Sequence, residues 1–231
     1  MTTCTCAYHD QLIEIRRKLH TFPEEGWSEF TTTAFLIGKL REYGYEVLTG
    51  TKVINPENCL GRSQKVVEAG IEAARKNGVS EELLNEMEGY TGCVGVLDTG
   101  RPGPTLAVRF DIDCVPVEES KDESHIPAKE GFASTRPGLM HACGHDAHMS
   151  TGLAVAHWFA DNKGELCGKL KILFQPAEEG DSIENPFVVE TPRVSGAKAL
   201  VLDGLTEKYD VKHYFGIHVM ARLESGKMLV R

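Results

Sequence analysis

The chain has 231 residues, of which 41% are hydrophobic and 26% are charged, and its formal net charge at pH 7 is −9. This composition is typical of a globular protein with enough apolar material for a core. The negative charge argues against a nucleic-acid partner, which needs clustered lysines and arginines, and no apolar run reaches the ~18 residues that span a membrane.

The N-terminus and the cysteines bear on localisation. Residues 1–10 are polar and carry no secretion signal. The seven cysteines are odd in number, and their spacing forms no disulfide framework. We therefore expect reduced thiols and a cytoplasmic protein.

The N-terminal part of the chain is predicted to be mainly helical. Apolar residues at helical spacing predict helices over residues 8–20 and about 29–43. Residues 45–48 are expected to form a short strand. The polar stretch 50–90 carries two weaker helical patterns split by an Asn-Gly pair, and we expect it to be a helical insertion packed outside a sheet.

After the insertion the pattern is typical of strands. Residues 93–97 and 105–110 are predicted strands, and the glycine- and proline-rich turn at 100–104 favours an antiparallel hairpin between them. A long irregular segment follows at 112–140, and segments of this length usually carry function. Residues 146–160 are expected to form an apolar helix.

The C-terminal part continues this alternation. Residues 169–174 form an apolar run typical of a strand buried in a parallel sheet. Short helices or helix ends are expected at 187–189 and 197–202, and a last strand at 214–219. Alternating strands and helices predict an α/β fold with a mixed, mainly parallel central sheet flanked by helices.

The stretch 141–148 holds three histidines, a cysteine and an aspartate just before the apolar helix. Zinc accepts thiolate, imidazole and carboxylate ligands together, and manganese accepts the nitrogen and oxygen donors. We prefer Cys143 and His145 as ligands, because an extended turn can direct both into one crevice. The alternative pair, His141 and His145, has the spacing of the zincin helix but lacks its glutamate.

Further candidate residues lie at the ends of three predicted strands: Asp111 and Asp113 follow one, Glu178 and Glu179 follow another, and His218 lies within the last. In α/β folds the crevice beyond the carboxyl ends of the strands binds ligands. Two adjacent glutamates on extended backbone point in different directions, so one can bind a metal while the other acts as a base. We expect Glu178 to be the base and Glu179 the ligand, although spacing alone leaves their order open.

Five segments resemble amidohydrolases of the aminoacylase and carboxypeptidase G type: 17–24 (RKLHTFPE), 109–113 (RFDID), 140–148 (MHACGHDAH), 174–180 (FQPAEEG) and 216–219 (GIHV). The resemblance covers nearly the whole chain. It implies a zinc-peptidase-like catalytic domain that hydrolyses the amide bond of an N-acyl or N-aroyl amino acid.

The helical insertion at 50–90 and the segment 98–104 are most similar to the part of this family that acts on p-aminobenzoyl-glutamate. The first expectation is therefore cleavage of this folate breakdown product into p-aminobenzoate and glutamate. Two alternatives remain: a dipeptidase or general N-acyl-amino-acid deacylase, and a metal-binding fragment that is catalytically incomplete.

The resemblance also implies roles for single residues. Two divalent ions, zinc or manganese, would be held by four residues of this chain: Cys143, His145, Glu179 and His218. Glu178 would be the general base, and Asp111 a carboxylate that orients a ligand. His141 and His148 would support these residues.

The family's chains are longer than this one, and their last histidine ligand lies near the C-terminus. A dimerisation domain is inserted in them after the strand that carries the residue matching His218. We therefore expect residues 1–231 to be the N-terminal part of the catalytic domain, with the dimerisation domain and the C-terminal catalytic segment outside it. A homo-oligomer, or a hetero-oligomer with a related polypeptide, is expected for the full-length protein.

Overall fold

The computed structural model describes residues 8–59, 62–179, 210–220, 223–224 and 226–229. The α-helices in this part of the chain are α1 (His9–His20), α2 (Phe30–Glu42), α3 (Gln64–Lys76), α4 (Glu81–Glu86), α5 (Ile126–Lys129) and α6 (His145–Asp161). The strands are β1 (Glu46–Thr49), β2 (Cys93–Asp98), β3 (Thr105–Asp111), β4 (Lys169–Gln175) and β5 (Val211–Gly216). Short 3₁₀ helices lie at Gly50–Lys52, Pro56–Asn58 and Lys163–Glu165.

The five described strands form one sheet in the order β1-β2-β4-β3-β5. β3 is parallel to both β4 and β5, whereas β2 is antiparallel to β4 and to β1. Four of these strands therefore run in one direction and only β2 is reversed. This arrangement confirms the predicted α/β fold with a mixed, mainly parallel sheet.

The predicted hairpin between 93–97 and 105–110 is wrong, because β4 lies between β2 and β3. Phe174 of β4 faces Cys93 on one side and Phe110 on the other. Backbone hydrogen bonds from Gly168 N to Arg101 O and from Lys169 N to Pro104 O draw the start of β4 into the turn between the two strands. The strongly apolar β4 thereby takes a central place where both of its faces are buried.

Helix α6 brings the stretch 141–148 to the carboxyl edge of the sheet. Its buried face, which includes Met149, Leu153 and Ala156, packs on β3 and β4. Gly152 allows this close approach, since a Cβ at this position would lie 2.7 Å from the Phe110 ring. The N-terminus of α6 therefore lies beside the carboxyl ends of β3 and β4.

The segment 50–90, predicted to be a helical insertion, contains the two helices α3 and α4, and both pack against α2. Val67, Ala74 and Leu84 contribute their buried side chains to this contact layer. None of the helices in the described ranges is long and apolar enough to cross a membrane.

The C-terminal strand is displaced from its predicted position. It ends at Gly216, so His218 lies two residues beyond it rather than within it. The helices predicted at 187–189 and 197–202 lie outside the described residues.

Candidate metal centre

The six residues predicted to form the site lie together at the carboxyl edge of the sheet. Asp111 ends β3, while Glu178 and Glu179 follow β4. Within the described ranges, three overlapping groups of side chains have potential ligand atoms within 4.8 Å of one another. These groups are Cys143, His145 and His218; Asp111, His145 and His148; and His145, Glu178 and Glu179.

His145, the residue common to the three groups, is fully buried and is oriented by Asp113. Its Nδ1 lies 2.8 Å from the backbone oxygen of Asp113. Because a carbonyl oxygen only accepts hydrogen bonds, Nδ1 carries a proton, and in the neutral ring Nε2 keeps its lone pair. Nε2 has no hydrogen-bond partner in the described part of the chain and lies 3.9 Å from Glu178 Oε2 and 3.8 Å from Glu179 Oε1. A metal ion would satisfy this buried nitrogen.

Cys143 and His218 are spaced as two ligands of one ion would be. The Cys143 Sγ and His218 Nε2 atoms are 3.5 Å apart. Tetrahedral zinc, with metal–sulfur and metal–nitrogen bonds of about 2.3 and 2.0 Å, places two such atoms roughly 3.5 Å apart. The other ring nitrogen of His218, Nδ1, donates to the backbone oxygen of Val219 at 2.6 Å, so Nε2 is again the atom with the free lone pair.

The electrostatics of the site favour a bound cation. Burial raises the pKa of Glu178, and the surrounding carboxylates raise it further. Burial raises the pKa of the Cys143 thiol, and Glu179 helps to bring it to about 12. Burial lowers the pKa of His145, but the Asp113 carboxylate outweighs it and the pKa rises to about 9. A divalent cation would reverse these shifts, because it favours thiolate, carboxylate and neutral imidazole.

His148 is buried in the site, and its Nε2 is occupied by a hydrogen bond, whereas its Nδ1 has no hydrogen-bond partner in the described part of the chain. Its Nε2 accepts a hydrogen bond of 3.0 Å from the Val219 N–H. In the neutral ring Nδ1 must then carry the proton, and it faces Asp111 Oδ2 at 3.6 Å. His148 therefore fixes the chain next to His218 and is poorly placed to be a ligand itself.

The sequence indicated Asp113 only as a candidate, yet Asp113 makes more contacts with the candidate ligands than Asp111 does. Asp113 holds His145 through its backbone oxygen and accepts the Glu179 N–H through Oδ2 at 2.8 Å. Asp111 instead accepts from Arg109 at 3.1 Å and faces His148. The orienting role that the resemblance gave to Asp111 stays a prediction. In the structure the imidazole that Asp111 faces is that of His148.

The alternative ligand pair, His141 and His145, finds no support in the geometry. His141 is buried, and burial lowers its pKa to about 3. It belongs to none of the three groups found in the described part of the chain. The reason is the left-handed conformation of Gly144, with φ of 103°, which separates 141–143 from the helix and removes the helical spacing.

Comparison with known proteins identifies the family. A model of the family described as Peptidase family M20/M25/M40 matches residues 107–231, more than half of the chain and the part that contains every predicted site residue. The chain belongs to this family. The resemblance that the motifs indicated is thus confirmed, and it includes the edge of the sheet where the candidate ligands lie.

The relatives of the chain within the M20 family include proteins of described function. It is 45% identical to a Haemophilus influenzae homolog of one subunit of p-aminobenzoyl-glutamate hydrolase, over 95% of this chain and 49% of that protein. A crystal structure of an aminobenzoyl-glutamate utilization protein from Klebsiella pneumoniae superimposes with a TM-score of 0.70 at 32% identity, over 92% of this chain and 44% of that chain. A Bacillus subtilis protein described as a dinuclear metal binding peptidase from the M20 family gives a TM-score of 0.64 at 27% identity, over 95% and 45%. The chain therefore spans about half the length of the relatives it matches.

Proposed function

We propose that the chain is part of a metal-dependent hydrolase that cleaves the amide bond of an N-acyl or N-aroyl amino acid. The observation that carries this proposal is the unpartnered Nε2 of buried His145 between a thiol–imidazole pair and two adjacent glutamates. Amide hydrolysis needs a strong electrophile and a base at the same place, and this set of donors can supply both.

The proposed metal ligands are Cys143, His145, Glu179 and His218, and they would hold two divalent ions, zinc or manganese. The sulfur, nitrogen and oxygen donors suit zinc, and manganese suits the nitrogen and oxygen donors. When bound, such ions supply Lewis acidity and lower the pKa of water from ~15.7 towards ~7.

Glu178 is the proposed general base, and it is not a ligand in this assignment. Its carboxylate takes a proton from the attacking water and returns it to the leaving nitrogen. Burial raises the pKa of Glu178, which helps it to keep that proton between the two steps. Glu179 is the better candidate for a ligand, because the Asp113 carboxylate fixes its N–H and thereby its backbone.

The proposed substrate is p-aminobenzoyl-glutamate, and the products would be p-aminobenzoate and glutamate. The names of the Haemophilus and Klebsiella relatives support this choice. A dipeptidase, or a deacylase acting on simple N-acyl amino acids, would use the same site chemistry with a different substrate. A metal-binding fragment without catalysis is the third candidate.

We further propose that residues 1–231 form the N-terminal part of the catalytic domain, with a dimerisation domain and a C-terminal catalytic segment elsewhere in the protein. The share of each relative that the chain matches supports this view.

The Haemophilus relative is named for one subunit of its hydrolase, which supports a homo- or hetero-oligomer. A cytoplasmic location is supported by the odd number of cysteines, seven, whose spacing forms no disulfide framework.

The test measures turnover of p-aminobenzoyl-glutamate, a dipeptide panel and N-acetyl amino acids by the full-length protein that contains this chain. Glu178→Gln is expected to lower kcat by about 10²–10⁴-fold, the usual contribution of a general base, with unchanged metal content. Exposed Glu165, substituted by Gln, is the matched control and should retain wild-type turnover. Near-wild-type kcat in Glu178→Gln with intact metal content would refute the base. A wild-type protein that binds metal and hydrolyses no member of the panel would favour the non-catalytic candidate.

A further inference from the structure

Two buried carboxylates hold the backbone on either side of Glu178. The Ala177 N–H donates to Glu29 Oε1 at 2.9 Å, and the Glu179 N–H donates to Asp113 Oδ2 at 2.8 Å. The side chains of Glu29 and Asp113 are fully buried. Glu178 therefore projects from a turn whose peptide groups are fixed both before and after it.

The turn needs such support because Ala177 adopts a conformation that residues other than glycine rarely adopt. Its φ is 50°, in the left-handed region, and its side chain is fully buried. A residue with a Cβ is strained there and keeps this conformation only where its surroundings enforce it. Gly92 adds to the constraint, since a Cβ at that position would lie 2.5 Å from the ring of Pro176.

Glu29 connects this turn to two other segments of the chain. It is the residue that precedes α2, and its second oxygen, Oε2, accepts a hydrogen bond of 2.6 Å from the Thr91 hydroxyl. Thr91 lies just before β2, and Ala177 lies just after β4. One carboxyl group thus joins the start of α2, the entry to β2 and the turn that carries Glu178.

The chemical state of Glu29 suits this role. Burial raises its pKa, the Asp113 carboxylate raises it further, and the value reaches about 8. A primary amide has nearly the same shape as a carboxyl group and keeps one oxygen acceptor. In Glu29→Gln the amide oxygen can still accept from Ala177, and the amide nitrogen can donate to the Thr91 hydroxyl.

We propose that Glu29 is a positioning residue for the catalytic turn: by holding the Ala177 N–H it keeps residue 177 left-handed and sets the directions of the Glu178 and Glu179 side chains. Without this hydrogen bond the turn can relax to a right-handed conformation, which rotates both glutamates relative to His145. This inference rests on the function proposed above for Glu178 and Glu179. It assigns a role to the buried glutamate before α2.

The test compares Glu29→Ala and Glu29→Gln with the matched control Glu24→Ala. Glu24 is also fully buried near the start of α2, but its carboxylate accepts from the N–H groups of Thr31 and Thr32. Each full-length variant is titrated with Co²⁺ alone and is also assayed for kcat and KM. Amide hydrogen exchange at Ala177 and Glu179 reports the state of the turn.

Glu29→Ala is expected to weaken Co²⁺ binding by about 10–100-fold, as loss of a partner that orients a ligand typically does. It should lower kcat by up to about 10²-fold with little change in KM, because a misplaced reacting group slows chemistry more than binding. Exchange at Ala177 should speed up. Glu29→Gln should restore both values to within a few-fold of wild type. Glu24→Ala should lower the stability of the fold and leave Co²⁺ affinity and kcat within about two-fold.

Wild-type Co²⁺ affinity and kcat in folded Glu29→Ala would overturn the proposal, as would equal losses in Glu24→Ala. If Glu29→Ala does not fold, Thr91→Val removes the Thr91 hydroxyl and should give the same pattern of losses in weaker form; unchanged values in that variant would also overturn it. Failure of the proposed function is distinguishable, because it abolishes wild-type turnover while the Co²⁺ titration and the exchange at Ala177 remain measurable.

Discussion

His145 shows how single residues build the candidate centre. Its Nδ1 proton is committed to the Asp113 carbonyl, so only Nε2 can bind a cation. His218 is oriented in the same way, by a hydrogen bond from its Nδ1 to the carbonyl of Val219. The Val219 N–H in turn donates a hydrogen bond to His148. Each imidazole is thus fixed by a backbone atom, which determines both the direction of the ring and the nitrogen that is free.

Gly144 is the residue whose substitution should disturb this arrangement most directly. Its φ of 103° is strained for any residue with a Cβ, and a Cβ there would lie 2.5 Å from Val219 Cγ2. Gly144→Ala is expected to lower the free energy of unfolding by about 1–2 kcal/mol through strain and by a further ~1–3 kcal/mol through the clash. Because the clash displaces the segment that carries His218, it should also weaken Co²⁺ binding.

The matched control for this substitution is Gly78→Ala. Gly78 also has a positive φ, of 84°, but a Cβ there would meet no atom within 4 Å. The free energy of unfolding of Gly78→Ala should fall only by the ~1–2 kcal/mol that the strain costs, and its Co²⁺ affinity should stay at the wild-type value. Urea unfolding and metal titration check both variants. Equal effects of the two substitutions on Co²⁺ affinity would show that the contact with Val219 does not position His218.

The sequence could predict the candidate ligands because their types and their places after strands carry the signal. Cys143 and His145 stand next to a helix start, and Glu178 and Glu179 follow an apolar strand, so the topology brings them together. It could not predict the partners of these residues. The atoms that orient the rings are the backbone oxygens of Asp113 and residue 219, and a backbone atom is present at every position.

Among the elements, α6 and the sheet meet through a glycine. A Cβ at Gly152 would lie 2.7 Å from Phe110 and 2.9 Å from Phe174. Gly152→Ala is therefore expected to push α6 away from β3 and β4 and to lower the free energy of unfolding by about 1–3 kcal/mol. Thermal or urea unfolding measures the change.

Gly38, in the middle of α2, gives the matched control for Gly152. A Cβ there would meet nothing within 4 Å. Gly38→Ala should raise the free energy of unfolding by up to about 1 kcal/mol, because alanine loses less backbone entropy than glycine in a helix. The two substitutions are chemically identical, so opposite signs would confirm that contact with the sheet decides the effect. Stabilisation by both would contradict the close packing of α6.

The elements themselves were predictable, whereas their order in the sheet was not. Periodicity of 3.6 residues located α1, α2 and α6, and apolar runs located β2, β3 and β4. The wrong hairpin followed from reading the turn at 100–104 as a local connection. Its backbone instead pairs with Gly168 and Lys169, far along the chain, and such a tertiary contact leaves no local pattern.

Across the whole molecule, a buried charged network connects α1, α6 and the long segment 112–140. His20 Nδ1 lies 2.9 Å from Asp146 Oδ2, and His20 Nε2 lies 2.9 Å from Glu119 Oε1. Glu119 also accepts from the Ser134 N–H and from His125. This network anchors the start of α6, and with it the turn that carries the candidate ligands, to the N-terminal helix.

The network should make stability depend on pH in a defined window. Burial lowers the pKa of His20, but Asp146 and Glu119 outweigh it, so the pKa lies above its ordinary 6.5. The contribution of His20 to the free energy of unfolding is thus complete below pH 6.5 and is lost as the pH rises through the pKa of His20 in the folded state. For Glu119, burial acts to raise the pKa, but hydrogen bonds from His20 and others bring it below the ordinary 4.5. The contribution of Glu119 to the free energy of unfolding is therefore complete above pH 4.5 and is lost as the pH falls through its pKa in the folded state.

His20→Gln should therefore lower the free energy of unfolding most between pH 4.5 and 6.5. The loss there is expected to be about 1.5–3 kcal/mol, because charge-assisted hydrogen bonds are lost while Arg16 still pairs with Asp146 and His125 with Glu119. Above pH 6.5 the difference from wild type should shrink, since the wild-type His20 itself loses its proton. Urea unfolding of the metal-free chain at pH 5.5 and 8.5 measures this difference, and exposed His213, substituted by Gln, is the control. A loss that is equal at the two pH values would show that His20 acts by packing alone and that its charge does not connect α1 to the site.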